Sequence, residues 1–242
     1  MKSYTNLKRV KQKQQIGMWA SIAGLLTMAL SLVVSFQAEY ASFAWIMAFV
    51  GLAIAAVGTY HVNRWIRPPM PEPFMEETFR RMDGRHVLLN HFGAVPHLLL
   101  TPKGLIAIKV KRYEGPVNYD PQTNKWRGKT SLARLYGRGL TAESLGDPGE
   151  DLTKARNDVL AWLQRIVPEI ADEVPIEAVA FFINPKIELN VPGTPIPIAQ
   201  QPSLKKVVQG FFAKEKPLSR EVYTRLRAAL EAEVPGELVK AA

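Results

Sequence analysis

The strongest constraint on this chain is a pair of long uncharged runs near its beginning. The first covers residues 16–38 and the second residues 40–63, with Glu39 as the one charged residue between them. Each run exceeds the ~20 apolar residues with which a helix crosses a bilayer. The segment between them is long enough only for a tight turn. The sequence therefore predicts a two-helix transmembrane hairpin over residues 16–63, which ends at Arg64.

A cleaved signal peptide is the competing interpretation, because a basic segment precedes the first run. That run is longer than the apolar region of a signal peptide, and the small residues of "SFQAEYAS" lack the spacing of a cleavage site. The hairpin is therefore favoured. Its outer ends are basic and its turn is not, which predicts that both ends are cytoplasmic. The basic residues are Lys8, Arg9, Lys11, Lys13, Arg64 and Arg67.

Four regions follow from this division. Residues 1–15 are predicted to be a basic cytoplasmic N-terminus, residues 16–63 the hairpin, residues 64–74 a proline-rich linker and residues 75–242 a single cytoplasmic domain. The chain has no cysteine, which excludes disulfides and thiolate chemistry and fits a reducing compartment. The predicted location is a bacterial inner membrane, crossed more than once, with the soluble domain in the cytoplasm.

The domain alternates helical and strand patterns. A short helix over residues 73–82 is followed by strands in "RHVLLNHF" and "HLLLTPKGLIAIKVKR", and by a hairpin in "PVNYDPQTNKWRG". A helix from Asp151 to about Val167 comes next, because its apolar residues recur at helical spacing. The buried strand "IEAVAFFI" and two helices, over residues 203–213 and 219–234, complete the pattern. The predicted class is an α/β sandwich with a mixed sheet.

Familiar catalytic motifs are missing from the sequence. "RGKTS" lacks the glycine of a phosphate-binding loop, no serine lies in a "GxSxG" elbow, and His86 and His91 are spaced for opposite faces of a strand. The sequence thus predicts no metal ligand and no cofactor. It does carry a basic stretch interleaved with aromatics between Thr101 and Leu140, and the chain has a net charge of +9. Such a stretch attracts nucleic acid or anionic lipid, although a solvated face without a partner stays open.

Several segments together resemble the NERD domain, the nuclease-related domain of bacterial proteins. They are "RHVLLNHF", "VPHLLLTPKGLIAIKVKRYEGPV", Trp126, the "KAR" helix and "AVAFFINPKIEL", in this order from about Glu76 to Lys206. The resemblance implies a restriction-endonuclease-like αβββαβ domain of the PD-(D/E)xK type. In that fold an acidic residue on one strand and a Glu-x-Lys pair on the next hold a divalent metal, which activates water at a scissile phosphate.

This chain departs from the family pattern at the metal-binding positions. The family's first acid falls on Pro96 and its glutamate on Lys109, while its lysine is kept as Lys111. A glutamine that commonly opens the next helix appears as Lys154, and the acid of the first helix is Glu76 or Glu77. Replacing two carboxylates by proline and lysine leaves a cation where the metal would bind, and two such charges ~4 Å apart repel by several kcal/mol. The resemblance therefore implies a degenerate site without a metal.

Three functions stay open at this point. The first is a membrane-anchored, catalytically inactive module that binds a polyanion, nucleic acid or anionic lipid, through basic residues of the former active site and the strands after it. The second is an assembly subunit, whose small-residue helix faces dock a membrane protein or a second copy. The third is a metal-dependent nuclease whose acid has moved to Glu114 or Asp120. The predicted polyanion-binding residues are Lys109, Lys111, Arg112, Lys125, Arg127 and Lys129.

Overall fold

The computed structural model describes residues 1–128 and 144–235. Within these ranges the chain forms two compact units. One is a helical hairpin of residues 7–70, and the other is a domain that combines residues 1–6 with everything described from Pro71 onward. The domain is thus interrupted in sequence by the hairpin.

The hairpin consists of two long helices, α1 (Leu7–Ser35) and α2 (Ala41–Trp65), joined through a short 3-10 turn at Ala38–Tyr40. Both segments are long and apolar enough to cross a membrane. In each, 17% of the most apolar stretch is buried, so the large side chains of both helices point mostly away from protein. The two predicted helices are confirmed, and each extends further into its polar flank than the uncharged run does.

Glycines set the separation of α1 and α2. A Cβ atom added to Gly24 would lie 2.4 Å from the backbone nitrogen of Ala55, and one added to Gly58 would lie 2.4 Å from that of Ser21. Neither backbone could stay in place with a larger residue there. The small-residue faces predicted from the sequence therefore pack against each other within the hairpin.

The domain is built on a six-stranded sheet with the order β1-β2-β3-β4-β7-β9. Strands β2, β3 and β4 are antiparallel to their neighbours in this group, and the remaining pairs are parallel, so the sheet is mixed. A second, small sheet has the order β6-β5-β8. The strands are β1 (Lys2–Thr5), β2 (Val87–Asn90), β3 (His97–Thr101), β4 (Gly104–Lys111), β5 (Val117–Asp120), β6 (Lys125–Gly128), β7 (Ile176–Phe182), β8 (Leu189–Asn190) and β9 (Ile198–Gln200).

Helices cover both faces of the large sheet. Alternate strand residues point to opposite sides, so that Leu98 and Ala107 belong to one buried cluster and Leu99 and Ile106 to another. The first cluster is closed by helices α4 and α6, the second by helices α3 and α5. These helices are α3 (Pro71–Phe79), α4 (Pro148–Ile166), α5 (Leu204–Gly210) and α6 (Arg220–Ala232). The predicted mixed α/β class is confirmed.

The boundaries differ from the sequence-based ones in instructive ways. Residues 2–5, which the sequence placed in a basic N-terminal segment, form an edge strand. This strand was not predicted because four mostly polar residues carry little hydrophobic pattern. The linker predicted over residues 64–74 is shorter, since α3 already begins at Pro71, where a proline is tolerated in the first turn of a helix. Helix α4 starts earlier than predicted because Asp147 caps it, accepting hydrogen bonds from the backbone of Gly149 and Glu150.

Candidate functional site

The two lysines of β4 face α4. Lys111 is almost completely buried, donates a hydrogen bond of 2.9 Å to the carbonyl of Leu145 and forms a close ion pair with Asp151 of α4. Lys109 is partly exposed, and its Nζ atom lies 3.8 Å from the other carboxylate oxygen of Asp151. Pro96 lies in the loop that precedes β3, outside the paired residues of β3 and β4. Lys109 and Lys111 share one face of the sheet, because they are two positions apart on β4.

This lysine cluster does not fit a divalent metal. The carboxylate it contains, that of Asp151, is already in contact with two ammonium groups. A hard cation requires several oxygen ligands and an excess of negative charge. The donor set of lysine, lysine, proline and one neutralised aspartate supplies neither, so the metal chemistry that the NERD resemblance would imply has no fitting residues at these positions.

The other predicted polyanion-binding residues are distributed unevenly. Lys125 and Arg127 are exposed on β6, where Trp126 between them turns inward and packs on Tyr119 with a ring-centroid distance of 4.8 Å. Arg112 is half-buried. Lys129 lies outside the described residues. Lys154, the counterpart of the family's glutamine, is exposed on α4.

Asp120 and Glu114 are the acidic candidates for a relocated nuclease site. Asp120 accepts hydrogen bonds from the hydroxyl of Thr123 and from the backbone of Gln122, and these bonds, that from Thr123 foremost, lower its pKa. This carboxylate therefore closes the turn between β5 and β6. Glu114 is half-buried in the segment after β4.

The two candidates on the first helix of the domain are now distinguishable. Glu76 accepts hydrogen bonds from the hydroxyls of Ser3 and Thr5 in β1, while Glu77 pairs with Arg80 on the exposed side of α3. Of these two residues, Glu76 is therefore the one that points into the domain.

A second polar cluster lies on the α3 side of the sheet. Glu72, His91 and His97 are all buried, and each offers one ligand atom within 4.8 Å of those of the other two. The Nε2 atom of His91 is 2.5 Å from Oε1 of Glu72, and the two imidazole rings meet edge to face with a centroid distance of 4.9 Å. Burying three such groups together costs free energy unless they bind one another or a ligand.

Local backbone geometry brings these three side chains together. Pro71 and Glu72 open α3, and the loop from His91 to Pro96 connects β2 with β3. His91 adopts a left-handed backbone with φ of 64°, uncommon for a residue other than glycine, and its N–H donates to the carbonyl of Pro96 at 2.6 Å. The loop is thereby closed tightly, and His97 starts β3 opposite Asn90.

The carboxylate of Glu76 determines the directions of the hydrogen bonds that lead through Thr5 and Asn90 to His97. Glu76 can only accept when ionised, so the hydroxyl of Thr5 donates to it at 3.1 Å. The Oγ1 atom of Thr5 must then accept from the amide Nδ2 of Asn90, at 3.0 Å. This orients the Asn90 amide so that its Oδ1 faces Nδ1 of His97 at 2.9 Å. Nδ1 of His97 is therefore the nitrogen that donates its hydrogen to Asn90.

The electrostatics of the α3-side cluster favour a charged Glu72. Burial by itself raises the pKa of this carboxyl group. The hydrogen bond from His91, a backbone hydrogen bond and the nearby His97 and His91 rings together outweigh burial and hold the pKa below its ordinary value. The cluster thus holds a carboxylate and two imidazoles in a water-poor environment.

Sequence reasoning missed this cluster. Its members are separated by 19 and 6 positions along the chain, which is not the spacing of any metal motif. His86 instead contacts Asp83 at the surface, at 2.9 Å. The one available signal was the tight "NHFGAVPH" loop, whose ends place His91 and His97 close together whenever β2 and β3 pair.

Comparison of the chain with protein-family models, curated proteins and solved structures finds no match. The resemblance to the NERD domain stays a prediction, as does the PD-(D/E)xK type of its fold.

Proposed function

We propose that this protein is a membrane-anchored, non-catalytic module that binds a polyanion with the basic surface of its domain. The observation that carries the membrane anchoring is the pairing of β1 with β2. Strand β1 precedes the hairpin and β2 follows it, so both ends of the hairpin enter one sheet. A chain that crosses a bilayer twice returns to its starting side, whereas a single crossing would separate these two strands.

The two alternatives to membrane helices are weakened by the same connectivity. A cleaved signal sequence would remove β1, whose backbone pairs with residues 87–90 along its full length. A core helix of a soluble protein would be mostly buried, but α1 and α2 expose large apolar side chains such as Trp19, Leu26 and Phe49. Anchoring in a bacterial inner membrane with a cytoplasmic domain is the location that the basic flanks favour.

A binding role is favoured over catalysis by the state of the lysine cluster. Lys111 and Asp151 satisfy each other, and Lys109 stands beside the same carboxylate, so no metal-activated water is available at these positions. The elements of the large sheet follow one another as α3, β2, β3, β4, α4 and β7 once the separate β5–β6 hairpin is set aside, and this order supports a restriction-endonuclease-like fold whose active site is degenerate.

Lys125 and Arg127 are two of the predicted polyanion-binding residues, and both are exposed on β6. Their side chains lie on one face of the strand, because they are two positions apart, and Arg127 keeps 70% of its side chain exposed. These two side chains offer phosphate groups a positive surface, and a membrane-tethered domain would meet anionic headgroups continuously.

The test uses the full-length chain in nanodiscs of zwitterionic lipid. Binding is measured separately to single- and double-stranded DNA and RNA and to vesicles that contain anionic lipid. The double variant Lys125→Glu with Arg127→Glu should weaken binding at least tenfold and reduce the salt dependence of log K by roughly 2 for nucleic acid. Lys214→Glu with Lys216→Glu, two exposed cations elsewhere, is the charge-matched control.

Three outcomes would contradict the proposal. Equal losses in both double variants would mean that net charge, and not this surface, attracts the polyanion. Failure of the wild-type protein to bind any of these probes would remove the binding role altogether. Metal-dependent cleavage of the nucleic acid would establish a relocated nuclease instead.

A further inference from the structure

We propose that Glu72, His91 and His97 form a binding site for a zinc ion. Two imidazoles and one carboxylate are a donor set with which proteins hold Zn²⁺, with the fourth position taken by water. Hard cations such as Mg²⁺ prefer oxygen ligands, so the two nitrogens select a transition metal. This inference concerns the α3 side of the sheet and does not depend on the polyanion-binding role.

The geometry requires only small adjustments. In a four-coordinate zinc site with metal–ligand bonds of about 2.0–2.2 Å, neighbouring ligand atoms are about 3.3–3.6 Å apart. Here the three ligand atoms lie within 4.8 Å of one another, and the closest pair, on Glu72 and His91, is separated by 2.5 Å. Side-chain rotations that move atoms by about 1 Å therefore reach a coordinating arrangement. The hydrogen between Nε2 of His91 and the carboxylate passes to the other ring nitrogen or to solvent.

The surrounding hydrogen bonds prepare His97 for coordination. Metal-binding histidines generally donate their second ring N–H to an oxygen, which fixes the tautomer and the orientation of the ring. His97 makes this bond to Oδ1 of Asn90, and the direction of that bond is imposed by Thr5 and Glu76. With Nδ1 held by Asn90, coordination of a metal by His97 would take place through Nε2.

The backbone of the β2–β3 loop also helps to position the two histidines. The left-handed conformation of His91 and its 2.6 Å bond to Pro96 hold the loop in one conformation, and the two histidines at its ends are fixed relative to each other. Uncommon backbone conformations persist where the surrounding structure determines them, often at ligand sites. Zinc bound here would join α3 to the β2–β3 loop.

The experiment measures zinc binding to the full-length protein in detergent, after metal removal with a chelator. Zn²⁺ is titrated against a chromophoric chelator of known affinity. We expect one Zn²⁺ per chain. Glu72→Gln or His97→Gln removes a ligand and should weaken zinc binding by more than about 100-fold, the upper limit for loss of an outer-shell partner. Thr5→Val, which removes the hydroxyl that orients Asn90, should weaken it 10–100-fold.

His86→Gln is the matched control, because His86 lies in the same domain and pairs with Asp83 instead of joining the cluster. Its zinc affinity should equal that of the wild type. The proposal is overturned if the metal-free wild type takes up no Zn²⁺, if Glu72→Gln and His97→Gln bind as tightly as wild type, or if His86→Gln loses the same affinity.

Misfolded variants are recognised by a second readout. Zn²⁺ should raise the thermal unfolding midpoint of the wild type and of His86→Gln, and should leave that of a folded His97→Gln unchanged. If the ligand variants do not fold, Co²⁺ added to the wild type decides the matter. A visible spectrum of four-coordinate cobalt with nitrogen and oxygen ligands supports the site, and its absence refutes it.

Discussion

The two faces of the large sheet each bury a polar cluster, but the clusters differ in what they leave available. On the α4 side, Lys111 and Asp151 combine a cation with an anion, and the pair satisfies itself. On the α3 side, Glu72 pairs with His91, and all three side chains, Glu72, His91 and His97, are of types that bind transition metals. The first cluster contains a single carboxylate held by two ammonium groups, whereas the second brings three possible metal ligands together.

The largest effect should come from breaking the ion pair on the α4 side. Lys111→Met leaves Asp151 beside a buried surface, and loss of one partner of a buried pair costs about 3–5 kcal/mol, reduced here to about 2–3 because Asp151 is partly exposed. The free energy of unfolding is measured by urea titration in detergent. Adding Asp151→Asn should restore part of the loss, as a double-mutant cycle shows. A loss below about 1 kcal/mol would mean that the pair is not buried as described.

On the α3 side, the corresponding test removes a hydroxyl. Thr5→Val takes away the acceptor for the amide of Asn90 and leaves that buried group unpaired, which should destabilise the domain by about 1–3 kcal/mol. Thr123→Val is the matched control, because the hydroxyl of Thr123 donates to Asp120 on an exposed turn, and its expected cost is below about 0.5 kcal/mol. Similar costs for both variants would contradict the network that links β1 to His97.

Elements of this molecule could be predicted from sequence where the residues that determine them are close together in the chain. The two long helices, the strands of residues 87–111 and the helix from Asp151 onward follow from composition and periodicity, which act over a few residues, whereas the start of that helix depends on the Asp147 cap. Strand β1 could not be predicted, because its stability comes from pairing with residues 87–90, more than eighty positions away. The α3-side cluster was missed for the same reason, since α3 and the β2–β3 loop meet only after the sheet has formed.

The α3-side cluster should also respond to acid. The pKa of Glu72 is lower in the folded chain than its ordinary value of 4.5, so this carboxylate stabilises the fold above that pH. The contribution disappears as the pH falls through the lowered folded-state pKa. Wild-type protein should therefore lose stability more steeply below about pH 4.5 than Glu72→Gln does. Thermal unfolding midpoints between pH 7 and pH 3 measure this difference, with the exposed Glu77→Gln as control, which should follow the wild-type curve.

The smallest expected effect separates the two lysines of β4. Lys109 approaches the same carboxylate as Lys111, but at 3.8 Å and with 37% of its side chain exposed. Such pairs contribute less than about 1 kcal/mol and are screened by salt, so Lys109→Met should cost little in urea titrations and nothing measurable at 1 M salt, where the Debye length is about 3 Å. A cost equal to that of Lys111→Met would show that both lysines are committed to the fold. The expected result leaves Lys109 as the lysine of this strand that can be replaced while the domain stays folded, so that its part in polyanion binding can be measured separately from stability.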